Sequence, residues 1–178
     1  HVESLIKRMY PKATIRRLDI DIAPGVAEQK KIINDFNKGK IDILIGTQII
    51  FRKLEFQHVG LIGLILVDYL LNIPDYRSAE LTFQFIYHLA LNYSRRREEK
   101  TLLIQTYQPE HHSLQALQQL NYQIFYQQET LNRKELDYPP FTKMIKIDFI
   151  GKKRGTVKRK AEDFIEYLND FDLINQYD

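Results

Sequence analysis

Residues 41–56 read IDILIGTQIIFRKLEF, an apolar run that enters a Gly46-Thr47-Gln48 turn and leaves through a charged loop. Ile41, Ile43, Leu44 and Ile45 form a short stretch rich in β-branched side chains, the pattern of a strand buried on both faces, as parallel strands are. Gly46 interrupts it. Ligands of open α/β sheets bind beyond the carboxyl ends of the strands. Thr47, Gln48, Arg52, Lys53 and Glu55 therefore occupy the edge where a function would sit. An ordinary exit from strand to loop would place the same residues there with no role beyond solvation.

The flanking sequence alternates helix and strand. Val2, Leu5, Ile6 and Met9 share one helical face, Pro11 ends that helix, and residues 14–18 read as a strand. Asp19 and Asp21 form an acidic pair at its end that suits capping or solvation, and no metal is assigned to it. Residues 26–37 carry Ile32, Ile33 and Phe36 at helical spacing, with Gly39 closing the helix. Residues 59–67 read as a second buried strand ending at Asp68, and helices are expected over both faces of the sheet. Asp75 is placed to cap a helix over 77–94 with Ala79, Phe83, Ile86, Ala90 and Tyr93 on one stripe. A strand over 101–106, a helix opened by Pro109-Glu110 and a helix over 122–136 follow, the last offering Ile124, Phe125 and Leu131 for packing.

This order predicts an α/β fold, a parallel-sheet three-layer lobe over residues 1–137. Tyr138-Pro139-Pro140 stops the preceding helix and opens a second domain, 138–178. There, residues 143–150 alternate as a strand with one solvated face, and Val157, Ala161, Phe164, Ile165 and Leu168 mark an amphipathic helix. Together they are the beginning of a truncated α+β domain.

The 178 residues are 44% hydrophobic and 28% charged, with a net charge of +3. That is globular composition, and the charge is too small to announce nucleic-acid binding by itself. The chain has no cysteine, which excludes disulfides and thiolate zinc sites within it and fits a reducing, cytoplasmic compartment. The apolar run at 61–67 is far shorter than a membrane span, so no membrane partner is expected.

Several stretches together resemble the PriA primosomal helicases. Gly46, Thr47, Gln48 and Phe56 match that family's motif V, G-T-Q-M-x-x-K-G-x-D-F, with Arg52, Lys53 and Glu55 standing where it has Lys, Gly and Asp. Asp68 matches the second aspartate of an Asp-x-Asp whose first is replaced by Leu66. Pro74-Asp75-Tyr76-Arg77, Ala79-Glu80 and Thr82-Phe83-Gln84 resemble P-D-F-R-x-x-E-R-T-F-Q, with Leu81 for its arginine. Ile104-Gln105-Thr106, Pro109-Glu110-His111 and Tyr138-Pro139-Pro140-Phe141 are similar to further signatures.

The resemblance implies the second RecA-like lobe and the start of the C-terminal domain of an ATP-dependent helicase that moves 3′ to 5′ on single-stranded and forked DNA in replication restart. Its implied cofactors are ATP with magnesium, plus zinc in a cysteine module upstream of His1. Its implied partners are DNA and other primosome proteins. No phosphate loop of the form G-x-x-x-x-G-K-[ST] occurs in this chain, so the chain alone is expected to be inactive and to bind none of these cofactors.

Motif VI, Q-x-x-G-R-x-G-R, is implied to bring arginines to ATP, where a fixed positive charge stabilises the transition state. Here Asn92 replaces the first arginine, Leu91 and Ser94 replace both glycines, and Arg95 remains as the candidate arginine finger. Lys53, Glu55, Asn92 and Arg95 are thus the nucleotide-side candidates. A solvated basic helix end, with Arg96 and Arg97, would look the same. Thr47, Gln48 and Arg52 are the implied DNA contacts, since hydroxyl and amide groups can bond a strand phosphate. Lys152, Lys153, Arg154, Lys158, Arg159 and Lys160 form the densest basic cluster and join them as candidates, against a solvated surface. The departures from motifs V and VI also admit a degenerate, non-catalytic module that binds DNA or a protein. His111-His112 is read as structural, because adjacent helical residues point about 100° apart.

Overall fold

A computed structural model describes residues 2–19, 25–47, 59–94 and 101–170. Gln48, Arg52, Lys53, Glu55, Asp21 and Arg95–Arg97 lie outside the described residues. The order is α1 (Val2–Met9), β1 (Ile15–Leu18), α2 (Val26–Asn37), β2 (Ile43–Gly46), β3 (Leu61–Leu64), α3 (Asp68–Leu71), α4 (Ser78–Ser94), β4 (Thr101–Ile104), α5 (His112–Gln118), α6 (Tyr122–Glu135) and α7 (Arg154–Asp170). Two compact units divide after Asn132, within α6.

In the first unit β1 pairs with β2 and β3 with β4, both in parallel and each across a helical crossover. The strands fall where the apolar runs predict them, but among the described residues they form separate pairs instead of the single expected sheet. Burial on both faces is also corrected for β3 and β4, while in β2 Ile43, Leu44 and Ile45 are all partly buried. In β3, Ile62 and Leu64 are buried while Leu61 is 59% exposed, and in β4 Leu103 is 58% exposed. In this pair alternate residues alone reach the core, whereas in β1 Ile15 and Leu18, three residues apart and so on opposite faces, are both buried.

Two clusters follow from that packing. Ile62 and Leu64 meet Val67, Leu71, Phe83, Ile86, Leu114, Ala116, Leu117 and Phe125. Phe83 stacks on Phe125 with ring centroids 4.0 Å apart, which anchors α4 to α6. Leu18, Ile32, Ile33 and Leu44 make the smaller cluster under β1 and β2. On α4 Phe83, Ile86 and Ala90 bury as their spacing predicts, Ile32, Ile33 and Phe36 on α2 are partly buried, and Phe125 buries on α6. The stripe on α1 does not, with Leu5 and Met9 exposed, nor does Leu131.

Helix ends follow local chemistry. Gly39 takes φ +70°, the left-handed turn that closes α2. Asn121 Oδ1 accepts from the N–H groups of Gln123 and Ile124 at 3.0 and 3.2 Å, capping α6.

The strand expected to run to Asp68 stops at Leu64, because Leu66 turns left-handed at φ 56° and Asp68 opens α3 instead. In the second unit residues 143–150 are no strand: no neighbouring strand pairs with them among the described residues, and Ile145 and Ile150 are 85% and 94% exposed. The amphipathic α7 forms as expected, with Phe164 against Phe149 at 5.7 Å and Ile165 left exposed. No described helix is long and apolar enough to cross a membrane.

Leucine adopts the left-handed region at a cost of about 1–2 kcal/mol, which asparagine bears more easily. Leu66 is half exposed, so its side chain contributes little core. Leu66→Asn is expected to stabilise the chain by about 1 kcal/mol, read as a higher urea midpoint at unchanged slope. A lower midpoint would contradict it.

Candidate functional site

The carboxyl edge of β3 and β4 is the best-built polar site among the described residues. The Asp68 carboxylate accepts from the Thr106 hydroxyl at 2.9 Å and from the Tyr107 N–H at 3.0 and 3.2 Å. Gln105 closes the same edge: its side-chain oxygen accepts from Leu66 N–H at 2.8 Å, and its own N–H donates to the Leu64 carbonyl at 2.8 Å. The Thr106 oxygen also accepts from Gln108 N–H at 2.9 Å. Leu66, Asp68, Tyr69, Asn72, Ile73 and Pro74 line an open cleft of about 620 Å³ beside this clasp.

Partial desolvation pushes the Asp68 carboxyl up, but the bonds from the Thr106 hydroxyl and the Tyr107 and Gln108 N–H groups outweigh it. The group sits below its ordinary 3.8.

A turn leads from the cleft into α4. Asp75 accepts from Arg77 N–H at 2.9 Å, and the Arg77 guanidinium grips both carboxylate oxygens at 3.1 and 2.9 Å. Gln84 donates to Glu80 at 3.0 Å one turn into the helix. Asp75 thus closes the turn before α4 through Arg77, where the sequence predicts a cap of the helix itself.

Thr47 is exposed directly after the carboxyl end of β2, where the sequence placed it, while its sequence neighbour Gln48 is outside the described residues. Asn92 is exposed in the last turn of α4. Lys152, Lys153 and Arg154 come together just before and at the start of α7, all exposed. Lys158, Arg159 and Lys160 fan around the helix, since successive residues turn by about 100°. Lys158 pairs with Glu162 at 3.4 Å.

His111 and His112 are structural. His111 Nδ1 caps α5 by accepting from Ser113 N–H at 3.3 Å, and His112 lies 2.8 Å from the Glu129 carboxylate. Burial and the neighbouring His112 push His111 below its ordinary 6.5, against the pull of Glu129. No group of three ligating side chains suited to a metal occurs among the described residues.

Sequence reasoning missed the clasp, although Asp68, Gln105 and Thr106 all stood in quoted motifs. The signal was available: a carboxylate after one strand faces polar residues after its parallel neighbour whenever the two strands share register.

No protein-family model matches the chain. The chain is 39% identical over 140 residues, 79% of its length, to the replication restart protein PriA of Bacillus subtilis, and covers 17% of that protein. It is 35% identical over 170 residues, 96% of its length, to PriA of Borreliella burgdorferi, covering 26% of it. To PriA of Thermotoga maritima it is 32% identical over 167 residues, 94% of its length, covering 23% of it. The chain thus spans about a quarter or less of these curated relatives.

A depressed carboxyl contributes stability that is present above the ordinary value of 3.8 and is lost as pH falls through the lower folded-state value. Asp68→Asn is therefore expected to be destabilised at neutral pH, with its gap from the unaltered protein narrowing at pH below 3.8. Urea unfolding across a pH series checks this, and a gap independent of pH would refute it.

Proposed function

Because the chain belongs to the PriA replication restart protein family, we propose that it forms the second RecA-like lobe and the opening of the C-terminal domain in a PriA-type DNA helicase. The observation that carries this reading is the alignment over 79–96% of the chain. The parallel crossover pairs support it. In this reading the whole protein couples ATP and magnesium to movement on forked DNA and works with primosome proteins. It is a cytoplasmic protein whose zinc module lies in other sequence.

DNA is contacted by Thr47, Gln48 and Arg52 and by the basic residues at 152–160. Exposure of Thr47 beyond β2 supports the first set. The second is supported by electrostatics. Lys152, Lys153 and Arg154 crowd the positive end of α7, whose first turn has no acidic residue, and a phosphate would relieve that repulsion. Single-stranded oligonucleotide is expected to bind weakly, losing affinity as salt rises. Replacing the six basic residues with glutamine should weaken binding and flatten the salt dependence. Fluorescence anisotropy at two salt concentrations measures both, and a salt-independent affinity would sink the assignment.

At the described position answering to the family's arginine, Asn92 offers an uncharged amide. Asn92 therefore supplies no charge to ATP, and Lys53, Glu55 and Arg95 remain candidates from sequence alone. Asn92 favours a second reading, a lobe that binds DNA without driving turnover. Full-length protein is expected to show low DNA-stimulated ATP turnover. Asn92→Arg alone should recover little of the ~10³–10⁵ that an arginine finger supplies, because Leu91 stands in regular helix where the family has glycine. High turnover in the unaltered protein would assign the charge to Arg95–Arg97 and remove the second reading.

A further inference from the structure

We propose that Tyr69 and Tyr107 form a base-stacking platform for single-stranded DNA at the carboxyl edge of β3 and β4. The proposal rests on the DNA reading above and names residues which that reading leaves unused.

The two rings are the most exposed aromatic side chains among the described residues, at 81% and 80%. Their backbones are nonetheless fixed. Tyr107 N–H donates to both oxygens of Asp68, and Tyr69, the next residue after Asp68, donates its N–H to the Leu66 carbonyl at 3.0 Å. An aromatic ring on a held backbone has two side-chain torsions to order, so stacking on it costs little entropy. Both belong to the same clasp, and Tyr69 also lines the adjoining cleft with Leu66, Ile73 and Pro74. At about 620 Å³ the cleft lies within the ~300–1,000 Å³ of ligand-holding clefts, ample for a nucleobase.

Charge decides which part of the strand faces this edge. The Asp68 carboxylate borders the cleft and repels phosphate, so bases turn inward and the backbone stays outside. Tyrosine faces accept any base, giving contact without sequence preference, as a protein acting on forks of arbitrary sequence requires.

The test measures binding of full-length protein, unaltered and as Tyr69→Ala, Tyr107→Ala, the double alanine and the double phenylalanine variant. The probes are a labelled oligothymidylate and an abasic oligonucleotide of equal length. Each alanine is expected to weaken oligothymidylate binding about fivefold or more, and the double variant more than tenfold, with the salt slope unchanged. Phenylalanine should restore affinity. The abasic strand should bind the unaltered protein weakly and be insensitive to the alanines. Both rings are exposed, so the variants should fold, which circular dichroism verifies. Equal binding of oligothymidylate by alanine and unaltered proteins overturns the platform while leaving the phosphate contacts standing. Equal affinity for the abasic strand does the same. Failure of the unaltered protein to bind either strand removes the DNA reading and the platform together.

Discussion

One carboxylate holds the carboxyl edge of the second strand pair in place. Asp68 follows β3, and its partners Thr106 and Tyr107 follow β4, so their bonds join segments 38 and 39 residues apart in sequence. The parallel register brings these two exits side by side, with Leu64 opposite Ile104. From that fixed point the chain turns through left-handed Leu66, begins α3 and delivers Leu71 to the core that Phe83 and Ile86 fill. The hydrogen bonds favour the ionised form more than desolvation disfavours it, so the clasp is at full strength at neutral pH.

Most polar residues that carry the family resemblance turn out to be engaged within the chain. Asp75 and Arg77 close the turn before α4, Glu80 and Gln84 bond along it, and Gln105 and Thr106 complete the clasp. His111 caps α5, and Tyr138 N–H donates to the Arg133 carbonyl at 2.8 Å in the turn that follows α6. Thr82 and Phe83 are buried outright. A side chain whose hydrogen-bonding capacity is spent internally has less to offer a ligand. These stretches therefore mark family architecture more than chemistry, and the departures at Leu66, Leu81 and Asn92 fall on exposed positions.

This division explains what was legible in the sequence. Helices α2, α4, α6 and α7 were readable because a repeat of three to four apolar positions over a dozen or more residues has few other solutions. Strand positions were readable from the apolar runs that include 43–46 and 61–64. Their faces were not, because a continuous apolar run such as LIGLILV is compatible with burial on one side or both, and only the packed helices decide. The alternation at 143–150 was a true period of two with no neighbour to pair with among the described residues, and pairing is not written in one strand. The short α3 was hidden inside an apolar run, since the left-handed Leu66 that separates it from β3 has no signature in its side chain. The exposed place of Thr47 after β2 was legible, whereas the bonding of Asp68 needed two exits to be seen together.

The same physics limits where binding energy can come from. Tyr69, Tyr107 and Thr47 follow the carboxyl ends of their strands and are exposed, so they can meet a ligand without breaking a bond that the fold depends on. The basic residues around α7 are equally accessible, but they are solvated charges whose attraction for a strand falls with salt. In the reading proposed above, fixed aromatic faces supply contact that salt does not screen, and the cations supply attraction at a distance. In the same reading a protein equipped with both retains its strand whether or not Asn92 lets it assist in nucleotide hydrolysis. In that reading strand binding and turnover are separable, because the residues proposed for each stand at different ends of the helices and strands.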